Sequence, residues 1–205
     1  MMKKQNKLTE SKFVVGLDLS LTHTGIAVFN GDDEYLMLDT VKSKPIGDTP
    51  TAELTRIKFI MGDVIEKLKS FYLGENNSIK LFCIEGIAFG IRGKTTSLDQ
   101  LTALNYFIRD LALRYNIPFI IIPPTTNKKF VTGSGKGEKD AIMMHVLKNW
   151  DIECNDNNIA DAVGLAKIGA CVLDIIKPQN KAQEEVVKLI KKQLEQNDIK
   201  KDKTK

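Results

Sequence analysis

The sequence lacks paired cysteines, a long apolar run and a strong excess of either charge. Its three cysteines, Cys83, Cys154 and Cys171, are scattered and form no CxxC pair, so neither a zinc knuckle nor a disulfide framework is indicated. A reducing cytoplasm is therefore the expected location. No stretch approaches the roughly 20 apolar residues that span a bilayer, and the N-terminus lacks the apolar core of a signal peptide. We expect no membrane association.

What is present is a mildly basic chain with enough apolar residues for one core. Of its 205 residues, 42% are hydrophobic, and the formal net charge is +4. This balance permits a nucleic-acid partner without requiring one. The patterning predicts an N-terminal arm at residues 1–12, one domain at 13–176 and a lysine-rich C-terminal tail at 177–205.

Hydrophobic periodicity predicts an α/β fold with a mixed central sheet flanked by helices. Three short strands form an antiparallel meander, and two later strands alternate with helices and should pair in parallel. Residues 124–138 are polar and glycine-rich, and we expect a loop there. The expected strands lie at 13–19, 24–30, 34–41, 79–85 and 117–122, and the expected helices at 52–72, 96–115, 138–150 and 158–176.

Three acids stand in apolar surroundings. Asp18 lies in the first strand, Glu85 ends the strand after the first helix, and Asp161 lies near the start of a helix of small and apolar residues. A buried carboxylate needs a partner or a cation, and no arginine or lysine stands beside any of the three. Converging, they would form an oxygen-rich site for Mg²⁺ or Mn²⁺. Such a site holds two ions and drives attack of water on a phosphodiester.

Each acid also has a simpler interpretation. Asp18 could cap a turn or bond the hydroxyls of nearby Ser and Thr residues. Glu85 could mark the point where a strand emerges into solvent. Asp161 could be an early-helix acid favoured by the helix dipole, with Asn157 or Asn158 as N-cap. Their joint occurrence in the order strand, strand, helix favours a shared site.

Four segments follow one another in a recognisable order: "GLDLSLTHTGIAV", "FCIEGIAFG", "PTTNKKFVTGSGKGEKDAI" and "NNIADAVGLA". In order and spacing they resemble the RuvC family of Holliday-junction resolvases, over residues 13–174. The first and last segments are typical of the wider RNase H-like fold, and the third is more specific to the resolvases. The short chain with a lysine-rich tail is more similar to the phage and low-GC bacterial branch. The resemblance implies an RNase H-like domain at 13–176.

The resemblance also implies roles for particular residues. Asp18, Glu85 and Asp161 fall on three acids that bind the metal ions in this family. Asn158 falls where relatives often have a fourth ligand, Asp or His, and an amide there brings no charge. Asp156 is the alternative source of that charge. Two lysines fall on family positions near the scissile phosphate, Lys128 and Lys139.

Two further segments are expected to contact DNA. Glycines at 133, 135 and 137 would let backbone N–H groups approach phosphate, with charge supplied by Lys128, Lys129 and Lys136. In the segment after Glu85, an aromatic residue could stack on an unpaired base and two cations could meet phosphates; these are Phe89, Arg92 and Lys94. The alternatives are a solvated surface loop for the first segment and a core position for Phe89.

The resemblance implies that the chain would cut four-way DNA junctions with paired symmetric nicks that leave a 5′-phosphate and a 3′-hydroxyl. Two symmetric cuts imply a homodimer, with the helix at 97–115 as the candidate interface through Leu98, Leu101 and Tyr106. No nucleotide cofactor is expected, because "GSGKGEK" lacks the order of a P-loop. The main alternative is a nuclease for flaps, forks or single-stranded ends. A non-catalytic DNA-binding member would be expected to lose the acids that are present here. A sugar-kinase-type ATPase would need a second phosphate-binding motif, which is not visible, and a longer chain.

Overall fold

The computed structural model describes residues 13–31, 35–72, 79–87, 95–134 and 140–202. The strands are β1 (Phe13–Asp18), β2 (His23–Phe29), β3 (Tyr35–Lys42), β4 (Ile79–Glu85) and β5 (Phe119–Ile122). The helices are α1 (Pro50–Tyr72), α2 (Thr95–Arg114), α3 (Pro124–Thr132), α4 (Asp140–Trp150), α5 (Asn157–Val172) and α6 (Lys181–Asp202). Within the described residues, no helix is long and apolar enough to cross a bilayer.

The five strands form one mixed sheet in the order β3-β2-β1-β4-β5. β1 pairs antiparallel with β2, and β2 with β3, while β4 pairs in parallel with both β1 and β5. β1 lies in the centre because nearly all of its residues are apolar and buried. The predicted α/β fold, an antiparallel meander followed by parallel strands, is confirmed.

Strand alternation divides the core between the two faces of the sheet. On one face, Val14 and Cys83 pack with α3, α4, α5 and α6. On the other, Leu17 and Ile84 pack with α1 and α2. The sheet is therefore covered on both sides, as a sheet with parallel strands requires.

Helix α5 lies directly against the backbone of the two central strands. A Cβ atom at Gly16 would overlap the carbonyl oxygen of Ala162 and lie 2.7 Å from the amide nitrogen of Ala166. A Cβ atom at Gly25 would overlap the carbonyl oxygen of Asn158. Glycine at these two strand positions therefore sets how closely the N-terminal half of α5 approaches the sheet.

The loop expected at 124–138 is wrong over its first nine residues, which form α3. Pro124 occupies the first turn of this helix, where its fixed φ suits helix geometry and its missing N–H removes no bond. Gly133 ends the helix in a left-handed conformation, with φ of 80°, and donates its N–H to the carbonyl of Lys129. Phe130 and Val131 anchor the helix in the core.

The segment predicted as a tail contains α6, which packs against α3 and α5. Val186, Val187 and Ile190 are buried in the same core cluster as α5. Their spacing of one, three and four residues puts them on one helix face. The boundary at residue 177 stays a prediction, but the helix that follows it belongs to the core.

Candidate active site

Two carboxylates lie at the same end of neighbouring parallel strands. Asp18 is the last residue of β1 and Glu85 the last of β4, and the parallel register brings these strand ends level. Because side chains alternate across a sheet, Asp18 lies on the same face as Gly16, and Glu85 on the same face as Cys83. That face is the one that α5 covers.

Asp18 and Glu85 share a hydrogen bond, and Asp18 is only 7% exposed. Burial, followed by the charge of Asp18 and the hydrogen bond with it, raises the pKa of Glu85 to about 10, and Asp161 adds to the shift. Burial raises the pKa of Asp18 to about 6, although the hydrogen bond from Glu85 opposes this, and Asp156 acts in the same direction as burial. In the absence of a cation, Glu85 is therefore protonated at neutral pH and donates to the Asp18 carboxylate.

The start of α5 brings two more acids to these strand ends. Asp156 is the N-cap of the helix, rather than Asn157 or Asn158, and it accepts the backbone N–H of Asn158 at 2.7 Å. Its charge acts on Asp18, and that of Asp161 acts on Glu85. The structure thus places Asp161 within electrostatic reach of the Asp18 and Glu85 pair.

Asn158 is fixed beside Asp18 by its bonds to Asp156. Its side-chain Nδ2 and its backbone N both donate to Oδ1 of Asp156 at 2.7 Å. Its carbonyl lies over Gly25, which pairs with Asp18 in the sheet. Whether Asn158 or Asp156 acts as an additional metal ligand stays a prediction.

The turn after β1 is held by its own hydroxyls and by α1. Thr24 Oγ1 donates to the Ser20 carbonyl at 2.7 Å, and Ser20 N donates to Thr24 Oγ1 at 3.2 Å. Arg56, which is 8% exposed, donates from α1 to the carbonyl of Leu21 at 2.5 Å. These bonds stabilise the turn, while Asp18 bonds to Glu85.

Two predicted DNA-binding lysines lie on α3 and have different surroundings. The charge of Lys128 lowers the pKa of Glu85, against the larger opposing effect of burial, so its ammonium group is within electrostatic reach of the acids. Lys129 forms an ion pair of 2.8 Å with Glu185 on α6. The structure therefore associates Lys128 with the acids and Lys129 with the contact between α3 and α6.

The donor set suits a hard divalent cation. All its ligand candidates are oxygens from Asp, Glu or Asn, as Mg²⁺ and Mn²⁺ prefer. The buried pair Asp18 and Glu85 would hold such a cation, which would offset the charges of both carboxylates. Among the described residues, no three acidic, histidine or cysteine side chains are already arranged as a ligand cluster.

Five predicted site residues lie outside the described residues. They are Phe89, Arg92, Lys94, Lys136 and Lys139. Phe89, Arg92 and Lys94 follow Glu85 in sequence, and Lys136 and Lys139 lie between α3 and α4.

Two buried asparagines contact the backbone of the acids, and the sequence analysis missed both. Asn105 on α2 donates to the carbonyl of Glu85 at 3.1 Å. Asn127 on α3 donates to the carbonyl of Asp161 at 3.1 Å and to its Oδ1 at 3.3 Å. Both lie on helix faces that are otherwise apolar, beside Leu104 and near Phe130. An amide at an apolar helix position is the sequence signal that would have found them.

Comparison with known proteins identifies the relatives of this fold. No family model matches the chain. It is 26% identical over 161 residues to the crossover junction endodeoxyribonuclease RuvC of Prochlorococcus marinus strain MIT 9303, across 76% of this chain and 96% of that protein. RuvC of Thermus thermophilus, solved in complex with a Holliday junction substrate, has a TM-score of 0.59 at 18% identity, across 75% of this chain and 90% of that one.

A second solved structure, the yeast mitochondrial Holliday junction resolvase Ydc2, has a TM-score of 0.53 at 12% identity, across 91% of this chain and 84% of that one. Both structural likenesses show a shared fold. The sequence match adds to this, because it spans nearly the full length of a RuvC protein. The chain is therefore similar to RuvC both in sequence and in fold.

Proposed function

We propose that this chain is a divalent-metal-dependent endonuclease that resolves four-way DNA junctions. One observation carries the proposal: Asp18 and Glu85 are hydrogen-bonded to each other at the ends of two parallel strands, within electrostatic reach of Asp161. Burying two neighbouring carboxyl groups is unfavourable, and metal binding explains why a fold similar to that of RuvC would keep them there. We assign the chain to the phage or low-GC bacterial branch, in a cytoplasm, with no membrane partner and no nucleotide cofactor.

The acids would hold Mg²⁺, with Mn²⁺ as a substitute, and two ions per site. When bound, these ions supply activation of water and neutralisation of charge on the target phosphate. Asp18, Glu85 and Asp161 are the proposed ligands, supplemented by Asn158 or Asp156. Because Asp18 and Glu85 stand on strands of the central sheet, their carboxylates would offer the ions a rigid set of ligands.

Lysines would stabilise the extra negative charge that develops on the phosphate in the transition state. Lys128 is the described candidate, since its charge already reaches Glu85, and Lys139 is the second. We assign DNA backbone contacts to Lys129, Lys136, Arg92 and Lys94, and base stacking to Phe89. The products would be nicks with a 5′-phosphate and a 3′-hydroxyl.

A homodimer would place two such sites on one junction. Helix α2 buries one face, at Leu104 and Ile108, and exposes large apolar side chains on the other. Leu101, which was expected in the interface, packs against the core instead. The exposed apolar residues are Leu98, Tyr106, Phe107 and Leu113, and such a surface is typical of a protein interface.

The decisive experiment is cleavage of labelled four-way junctions, flaps and plain duplex with Mg²⁺ or with EDTA. We expect paired symmetric nicks in the junction, none without metal and almost none from Asp18→Asn. Asp39→Asn is the matched control, because Asp39 is a surface acid paired with Lys67, and it should cut at the wild-type rate. Equal cleavage of flap, duplex and junction would favour the broader nuclease, and cleavage by Asp18→Asn would refute the site.

The dimer is tested by sedimentation of Tyr106→Glu and Leu113→Glu. Each puts a charge on the exposed face of α2, so we expect monomers that nick the junction on one side only. Leu189→Glu is the control, since Leu189 is a comparably exposed leucine on α6, and it should remain a dimer. A monomeric wild-type protein that still makes paired nicks would contradict this arrangement.

A further inference from the structure

We propose that Asn127 positions Asp161 for metal binding, an inference that rests on the proposed function. Asn127 is fully buried on α3 and reaches across to α5. Its Nδ2 group donates to two oxygens of the same residue, the carbonyl and Oδ1 of Asp161. These two bonds therefore fix the orientation of the Asp161 carboxylate with respect to its own backbone.

The direction of the amide is determined by its surroundings. Turned the other way, Asn127 would place its own oxygen against the two oxygens of Asp161, which is repulsive. In the observed direction, Oδ1 lies beside Gly164 and accepts no hydrogen bond from the described residues. The N–H donors of Asn127 are thus committed to Asp161.

Gly164 makes this contact possible. It lies three residues after Asp161, one turn along α5, where a Cβ atom would overlap Oδ1 of Asn127 and lie 2.6 Å from Cγ2 of Val131. The absence of a side chain there lets the amide approach α5.

Packing alone does not explain an asparagine at position 127. A buried amide with one atom unsatisfied destabilises the fold relative to an apolar residue of similar volume. In metal sites, residues that hydrogen-bond to the ligands fix ligand orientation, and their loss lowers metal affinity about 10–100-fold. The contact with a carboxylate oxygen of a proposed ligand gives Asn127 that role.

The test is Mn²⁺ binding by calorimetry, without DNA, for wild type, Asn127→Leu and Asp161→Ala. Leucine has the same branch point as Asn127 and no donor, so we expect Mn²⁺ binding to weaken about 10-fold or more. In the Asp161→Ala background, Asn127→Leu should cause no further loss, because its effect acts through Asp161. Asn127→Ala, which removes the donors and adds neither bulk nor charge, gives a second measurement if the leucine variant fails to fold.

Asn149→Leu is the matched control. Asn149 on α4 donates to the carbonyl of Val131 on α3 at 3.0 Å, so this variant loses the same kind of bond to the same helix. It should melt at a lower temperature yet bind Mn²⁺ as wild type does.

Two outcomes would overturn the inference alone. In the first, wild type cuts junctions, and Asn127→Leu and Asn127→Ala bind Mn²⁺ as tightly as wild type. In the second, Asn127→Leu weakens Mn²⁺ binding equally with and without Asp161. A wild type that binds Mn²⁺, with the expected loss in Asn127→Leu, but cuts no junction would overturn the proposed function and leave the inference standing.

Discussion

The contact between α5 and the sheet differs from the acid-lined strand ends beside it, although the same strands and helix build both. At the contact, glycines let backbone lie against backbone, and Gly16 touches the carbonyl of Ala162. At the strand ends, two residues beyond Gly16, Asp18 and Glu85 are buried so close together that burial and the charge of Asp18 oppose ionisation of Glu85. One region is well packed and the other is electrostatically strained.

The difference shows how a fold keeps like charges together. The alternation that places Gly16 and Cys83 against α5 also places Asp18 and Glu85 on that face two residues later. The acids cannot separate without moving strands that α5 fixes. Tight packing therefore supplies the free energy that holds the acids in place, a common cost of functional sites.

The largest expected effect comes from breaking the packed region with Gly16→Ala. The added Cβ atom meets backbone atoms of α5, which cannot move as a flexible side chain could. We expect a loss of about 3 kcal/mol or more in the free energy of unfolding, and a Tm about 10 °C lower for a chain of this size. Thermal and urea unfolding measure it.

Gly62→Ala is the control for this change. Gly62 lies within α1, and a Cβ atom there has no neighbour within 4 Å. Alanine should stabilise the helix by about 1 kcal/mol. If both alanine variants shift stability in the same direction, α5 does not rest on the sheet as described.

An intermediate effect of opposite sign is expected from relieving the strained region with Glu85→Gln. In the unfolded chain Glu85 has its ordinary pKa of 4.5, whereas the folded protein retains the proton up to a pKa of about 10. The folded form thus binds one more proton, so metal-free stability falls as pH rises through this window. Glutamine removes that dependence and should stabilise the metal-free protein at pH 8 by about 1–3 kcal/mol.

The measurement is Tm against pH in EDTA and in Mg²⁺. Wild type should lose stability from pH 6 to 8 in EDTA and regain it on addition of Mg²⁺, while Glu85→Gln should show a flatter profile and a smaller metal response. Parallel pH profiles for the two proteins would show that Glu85 is not strained.

The smallest effect is expected from an acid outside both regions. The pKa of Asp39 on β3 is lowered. Burial acts to raise it, but the hydrogen bond from Lys67, at 2.6 Å, acts in the opposite direction. Asp39→Asn removes a favourable but partly exposed pair, so it should destabilise the protein by less than about 1 kcal/mol. Its sign is opposite to that of Glu85→Gln. A stabilised Asp39→Asn protein would mean that removing any acid helps this chain.

Sequence patterns predicted the structure correctly where the type of residue alone determines it. Apolar runs predicted the strands, and acids inside such runs pointed to a site whose members the fold brings together. Helix α3 was missed because polar residues and nearby glycines outweighed the start signal of Pro124 and the apolar pair Phe130 and Val131. Asn127 was missed because its role depends on α5, which lies more than thirty residues later in the chain.

Three consecutive residues of α3 serve three different neighbours: Asn127 contacts α5, Lys128 reaches the acids, and Lys129 pairs with α6. Successive helical residues differ in direction by about 100°. A single residue inserted after Pro124 would therefore rotate the trio and send each side chain toward the wrong neighbour. In homologues, this short helix should tolerate substitution more readily than any change in its length.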